Sequence, residues 1–199
     1  MIAAVLGNWI WTSSAALPVT LVPEVGPDNR AFLLVCNICK ANNVLALLRC
    51  AAAYDFVPLV VDKSCQPPPG HSHLIEEVKL EHAGESVVSI RCLRFPSLAQ
   101  CEVWVRGRSL VVVGIEILEQ ALPLAGFPFP RTSGLVIVPG NEGAGLVPRL
   151  RRLCDGFVYI PQFGRGTASL NVHTATALVM HEFALQRKRS MAPSADEPS

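Results

Sequence analysis

The sequence predicts an α/β domain, a mostly parallel sheet with helices on both faces, and three observations carry that expectation. Short apolar runs such as residues 110–113 and 135–138 have the length and composition of buried strands. They alternate with helical segments, of which residues 43–54, rich in Ala and Leu and without glycine or proline, are the plainest. The chain is also core-rich: of 199 residues, 50% are apolar and only 17% charged, with a mean hydropathy of +0.36. That composition excludes a disordered or coiled-coil protein. No stretch approaches the ~18 uninterrupted apolar residues of a membrane span.

Residues 1–30 read as an N-terminal extension. Its first ten residues are mostly apolar, but the first basic residue is Arg30, so neither a positive leader nor an Arg-rich transit helix is expected. Pro18, Pro23, Gly26 and Pro27 make 11–29 a loop-like entry. The seven cysteines are odd in number and lack a disulfide spacing, which points to reduced thiols and a cytoplasmic or nuclear location, with a mitochondrial one left open. The domain itself spans 31–189. Strands are expected at 31–38, 56–61, 87–93, 110–117, 134–138 and 157–160. Helices are expected at 43–54, with Asn42 or Asn43 near the N-cap, and at 73–82, 97–105, 145–153 and 169–187. Residues 63–72 and the stretch up to Pro130 are proline-rich loops. Arg187, Lys188 and Arg189 complement the dipole of the last helix, and the polar tail at 190–199 reads as disordered.

A net charge of +1 hides an asymmetry. Residues 1–90 carry 5 basic and 8 acidic side chains, whereas residues 91–199 carry 12 basic and 8 acidic. Arg outnumbers Lys 13 to 4, and the planar guanidinium suits bidentate contact with phosphate, so the second half leans toward an anionic partner.

In open parallel sheets, ligands bind beyond the C-terminal ends of the strands, and three such places hold unusual clusters. After the first strand, Asn43 would cap a helix from whose second turn Arg49 projects as the single charge between Lys40 and Asp55. Such an arginine must meet an anion or reach solvent. After residue 138, the run Pro139-Gly140-Asn141-Glu142-Gly143-Ala144-Gly145 lets backbone approach a ligand and places a carboxylate in the turn. It matches neither a dinucleotide fingerprint nor a P-loop, and a tight strand-to-helix connection is its bland alternative. After residue 160, Ser169 stands where an N-cap is expected and Asn171 falls in the first turn, beside backbone N–H groups able to hold an anion.

Together these clusters resemble the SPOUT superfamily, and within it the SpoU/TrmH-like RNA ribose 2′-O-methyltransferases. Asn43 to Arg49 looks like the family's N-x-x-x-x-x-R, Gly140 to Gly145 its G-N-E-G-x-G, and Ile160 to Val172 its I-P-x-x-G…S-L-N-V. Order and spacing agree over roughly residues 31–187. The later portion, with His173 after Ser-Leu-Asn-Val, looks most like the catalytic domain of eukaryotic tRNA guanosine-2′-O-methyltransferases. Leu45 stands where the family usually has Gly, and the 160–169 loop is one residue longer than usual. The resemblance implies a C-terminal deep trefoil knot, S-adenosylmethionine as cofactor, no metal, a homodimer, and structured RNA as substrate, tRNA first and rRNA second, with neither DNA nor membrane as partner. It places catalytic or substrate-positioning roles on Arg49, Asn43, Glu142, Ser169 and Asn171, and cofactor contacts on Ile115, Glu116, Gly140, Ile160 and Leu170.

Three other readings compete. A knotted RNA-binding scaffold without turnover would keep the fold. A zinc or redox site could use the single Cys36-x-x-Cys39. A Ser-His-Asp hydrolase lacks any G-x-S-x-G elbow. His173 and His181, eight apart on the last helix, read as surface or interface residues.

Overall fold

The structure, a computed structural model, describes residues 31–38, 40–82, 86–141, 143–164 and 169–191. The expected extension at 1–30, the tail beyond 191, Cys39, Glu142 and residues 165–168 lie outside the described residues.

The elements run β1 (Ala31–Val35), α1 (Ala41–Ala53), β2 (Phe56–Val61), β3 (Leu74–His82), β4 (Ser86–Phe95), α2 (Leu98–Arg106), β5 (Val111–Ile115), β6 (Leu122–Pro123), β7 (Leu135–Pro139), α3 (Pro148–Leu153), β8 (Gly156–Tyr159) and α4 (Val172–Met191). One sheet holds the strands in the order β3-β4-β2-β1-β7-β5-β8-β6. Every pairing is parallel except the β3–β4 hairpin.

The period-2 alternation of a strand sorts its side chains into two layers. Ala31, Leu33 and Val35 of β1 and Leu135 and Ile137 of β7 face α1 and α4, where Val44, Leu47, Val179, Met180 and Phe183 meet them. Phe32 and Leu34 of β1 and Val136 and Val138 of β7 face the other way, onto Cys101 and Trp104 of α2 and Leu150 and Leu153 of α3. Central strands buried on both faces therefore read as unbroken apolar runs. Each such side chain, fully withdrawn from water, contributes roughly 1.5–3 kcal/mol before entropy is counted.

Several expected elements are corrected. Residues 73–82 form no helix: Leu74–His82 is a strand paired antiparallel with β4, Glu77 opposite Arg91 and Leu80 opposite Val88. Its acidic residues suggest a helix, but Glu76 turns inward because the Arg94 guanidinium lies 2.7 Å from it. Helix α1 begins two residues before Asn43, and Lys40 occupies its N-cap position without a side-chain hydrogen bond. Asn43 is instead buried, 5% exposed. Residues 145–147 belong to the connection before α3, whose first turn opens on Pro148. The last helix begins at Val172, not at residue 169.

Candidate active site

The ends of β5, β7 and β8 and the approach to α4 enclose a cleft of about 120 Å³. Its walls include Ile115 and Glu116 after β5, Gly140 and Asn141 after β7, Ile160 after β8, and Ser169 and Leu170 ahead of α4. All five residues expected to touch a cofactor thus share one cavity, together with Ser169.

The shape of this cleft is set by its second cluster. Asn141 exchanges backbone hydrogen bonds with Gly145, 3.0 Å each way. Its side-chain Oδ1 accepts from the N–H groups of Gly143 (3.0 Å) and Ala144 (3.3 Å), so the turn is organised from within. Its Nδ2 donates to the Asn37 carbonyl at 2.6 Å, tying this turn to the end of β1. Asn37 has φ +60°, a left-handed conformation that Asn tolerates better than most residues. Glu116 accepts the Leu146 N–H at 2.6 Å, while Arg151 Nε donates to the Leu146 carbonyl at 2.8 Å. The residue after the glycine turn is thereby held at both its N–H and its carbonyl. Gly145 sits at φ +61°, and a Cβ there would come within 2.1 Å of the Glu116 carboxylate. Only glycine satisfies both conditions.

The third cluster differs from the expectation at its helix. Ser169 is not the cap. Asn171 is: its Oδ1 accepts the His173 N–H at 3.0 Å and its carbonyl accepts the Ala175 N–H at 2.9 Å. This removes the oddity of an asparagine inside a helix, since Asn is a favoured N-cap. The Nδ2 of the same side chain donates to Asn43 Oδ1 at 3.3 Å. The first and third clusters, 128 residues apart, are joined through this bond.

Arg49 is exposed on α1. Neither it nor Asn43 is among the described residues that line the cleft. Six residues at about 100° each separate the two side chains around α1, so the helix that turns Asn43 toward α4 turns Arg49 away from it. Leu45 is half-buried against the α1–α4 core layer. The Cys36 thiol is pushed up to about 11 by burial, Arg149 offsetting this in part, which makes it a poor thiolate ligand. His181 packs edge-on against Tyr54, with ring centres 5.9 Å apart.

The roles of Asn141 and Asn37 escape sequence reasoning. Asn141 lies inside the glycine cluster, yet spacing alone does not show that its side chain builds the turn. Asn37 acts through its carbonyl, which leaves no trace in residue type.

Residues 30–181 match the model of the SpoU rRNA Methylase family. The chain belongs to that family. Among similar proteins, a Streptomyces viridochromogenes 23S rRNA (uridine(2479)-2′-O)-methyltransferase is 29% identical over 73% of this chain and 49% of its own length. The mouse tRNA (guanosine(18)-2′-O)-methyltransferase TARBP1 is 27% identical over 80% of this chain and 10% of its own. This SpoU chain spans about half or less of the curated relatives it matches. Its fold is shared with the Streptomyces SpoU methyltransferase AviRb in complex with AdoMet, at TM-score 0.57 and 24% identity over 81% of this chain and 59% of that one. The A. aeolicus TrmH/SpoU tRNA modifying enzyme aligns at TM-score 0.60 and 19% identity, covering 85% of this chain and 84% of its own.

Proposed function

We propose that this protein transfers a methyl group from S-adenosylmethionine to a ribose 2′-hydroxyl of structured RNA, a tRNA guanosine being the favoured target. The observation that carries the reading is the cleft at the ends of β5, β7 and β8, in which residues of the second and third clusters meet. The cofactor suits these residues: its nucleoside needs apolar walls, which Ile115, Ile160 and Leu170 offer, and its polar groups need backbone partners and a carboxylate, which Gly140 and Glu116 offer. A cavity of about 120 Å³ would hold part of such a molecule. The cofactor supplies a methyl group on a positively charged sulfur, open to in-line attack.

The chain's own residues then have three tasks. Glu116 and Asn141 keep the glycine turn in the shape that admits the nucleoside. Asn171 caps α4 and holds Asn43, fixing α1 relative to the cleft. Arg49 binds the RNA phosphate and stabilises the alkoxide as the hydroxyl proton passes to water and the neutral thioether departs, because a guanidinium keeps its own proton and serves poorly as a base. Glu142 and Ser169 position the ribose in this reading. A C-terminal deep trefoil knot and a homodimer complete it, with the partner subunit contributing to RNA grip.

The 23S rRNA activity named for the 29%-identical Streptomyces relative supports rRNA as a second substrate class. Mapping 2′-O-methyl sites in total RNA from cells with and without the protein tests both. A site lost in tRNA supports the first reading and one lost in rRNA the second. No lost site overturns the activity.

A further inference from the structure

Among the described residues a second cavity exceeds the cleft in volume. It is a groove of about 590 Å³ at the far end of α4, between the helix and the proline-rich turn at 126–131. Phe127 and Phe129, with ring centres 4.7 Å apart, form its floor, and Arg131, Arg187, Arg189 and Glu182 stand around it. Three positive groups against one negative leave a net charge of +2 among the groove's lining side chains.

Like Arg91, Arg108 and Arg152, these arginines are not tied up by a described carboxylate. Arg94, Arg106, Arg149 and Arg151 each face a carboxylate within 4.0 Å. No ion pair is made by Arg131, Arg187 or Arg189 among the described residues. The one carboxylate in the groove is occupied: Glu182 accepts a 3.0 Å hydrogen bond from Gln186, which also donates to the Phe127 carbonyl at 3.0 Å. The helix and the turn are thus locked together, and the groove is a formed feature of the fold.

Its placement supplies the second argument. Ala175 lines the cleft, while Glu182, Gln186 and Arg189 line the groove. At about 100° per residue these four side chains fall within about 60° of one another around the helix, and at ~1.5 Å per residue they span about 20 Å along it. Cleft and groove therefore lie along one face of α4.

We propose that the groove is a second RNA-binding site, in which Arg131, Arg187 and Arg189 hold backbone phosphates of the strand whose ribose occupies the cleft. This rests on the methyltransferase reading for the course of the strand. The apolar floor suits the flank of a ribose or base, and a planar guanidinium suits phosphate. A protein surface of opposite charge is the other occupant such a rim could take, but the shared face with the cleft favours the nucleic acid.

The test is the affinity of the full-length protein for a labelled, unmodified tRNA transcript, measured by fluorescence anisotropy across a salt series. Arg131→Gln combined with Arg189→Gln, both exposed, should weaken binding about tenfold or more at moderate salt. The slope of log affinity against log salt should become shallower by about 1.5, near 0.7–0.9 for each phosphate no longer neutralised. Glu182→Gln should tighten binding severalfold, a gain that misfolding cannot imitate. Affinity and slope unchanged in the double variant, or no gain in Glu182→Gln, overturns the groove as an RNA site. Calorimetry with S-adenosylmethionine separates the two proposals. If the wild type binds no cofactor but loses tRNA affinity in the double variant, the groove stands and the methyltransferase reading falls.

Discussion

Arg49 and Asn171 serve the proposed reaction in different ways, and substitution separates them. Arg49 lies outside the cleft lining. Arg49→Ala should therefore leave S-adenosylmethionine affinity nearly unchanged while lowering the single-turnover methylation rate on the order of 10²-fold or more. Arg49→Lys should restore little, since a point charge does not reproduce a planar two-pronged contact. Near-normal turnover in Arg49→Ala would return this residue to the role of an ordinary surface arginine. Asn171 does two jobs through two atoms: Oδ1 caps α4 and Nδ2 holds Asn43. Asn171→Ala should lose both, costing about 1 kcal/mol of stability for the cap and weakening cofactor binding and methylation together. Asn171→Asp keeps the capping oxygen but loses the donor. Its melting temperature should stay close to wild type while methylation falls, and a parallel fall in both would show that the bond to Asn43 serves the stability of the fold and not the site.

Two elements depend on carboxylates withdrawn in part or whole from water, Glu116 and Asp62. The turn after β7 holds its shape through Glu116, and Gly145 is the residue that lets the carboxylate in. Gly145→Ala should reduce cofactor affinity at least tenfold in calorimetry, because left-handed strain and the collision with Glu116 must both be relieved. The β3–β4 hairpin is anchored by Arg94, which pairs with Glu76 at 2.7 Å and with Asp62 just after β2. Burial raises the Asp62 carboxyl, but hydrogen bonds from Ser64 and the pairing with Arg94 outweigh it, so the net shift is below its ordinary value of 3.8. A carboxyl depressed on folding stabilises the protein above its unfolded value and loses that contribution as pH falls through the folded one. Stability should thus be level from neutral pH to near pH 4 and fall below that. Asp62→Asn removes one of the two carboxylates that Arg94 pairs with, Glu76 remaining, and should cost about 1–3 kcal/mol in denaturant melts and flatten the acid limb. An acid limb identical in the variant would assign the acid sensitivity to other groups.

At the scale of the whole molecule, the apolar surface of α4 bears on assembly. Leu170, Val172, Ala175, Leu178, Val179 and Phe183 suggest more apolar area than one sheet face needs. Most of it is consumed within the subunit. Val172, Val179 and Phe183 are buried, with Phe183 packed edge-on between Phe56 and Phe129. Leu178 remains, 41% exposed. A dimer through this helix must then rest on its N-terminal part and on neighbouring loops, not on a broad apolar stripe. Light scattering at micromolar concentration should report a dimer, and Leu178→Glu should shift it toward monomer without lowering the melting temperature of the fold. A monomeric wild type would remove the dimer from the proposal.

Strand and helix positions were legible wherever burial is complete on both faces, as in β1, β5 and β7, because an unbroken apolar run has few other homes. The hairpin strand β3 was not, since Glu76 is tolerated inside only because Arg94, remote in sequence, neutralises it. The glycine-rich and Ser-Leu-Asn clusters announced themselves by residue type and order, and the expected cofactor residues fall in one cleft because four sit at the ends of neighbouring parallel strands and Leu170 lies on the approach to α4. Chain folding alone could bring Asn171 onto Asn43 and Glu116 onto the Leu146 N–H. Both are hydrogen bonds between segments that share no local pattern, and their geometry follows from how the sheet stacks its strand ends. The same holds for the arginine groove. Charge composition pointed to an anionic partner somewhere in the second half, but a site exists only where the turn at 126–131 folds against α4 and gathers those charges over an aromatic floor.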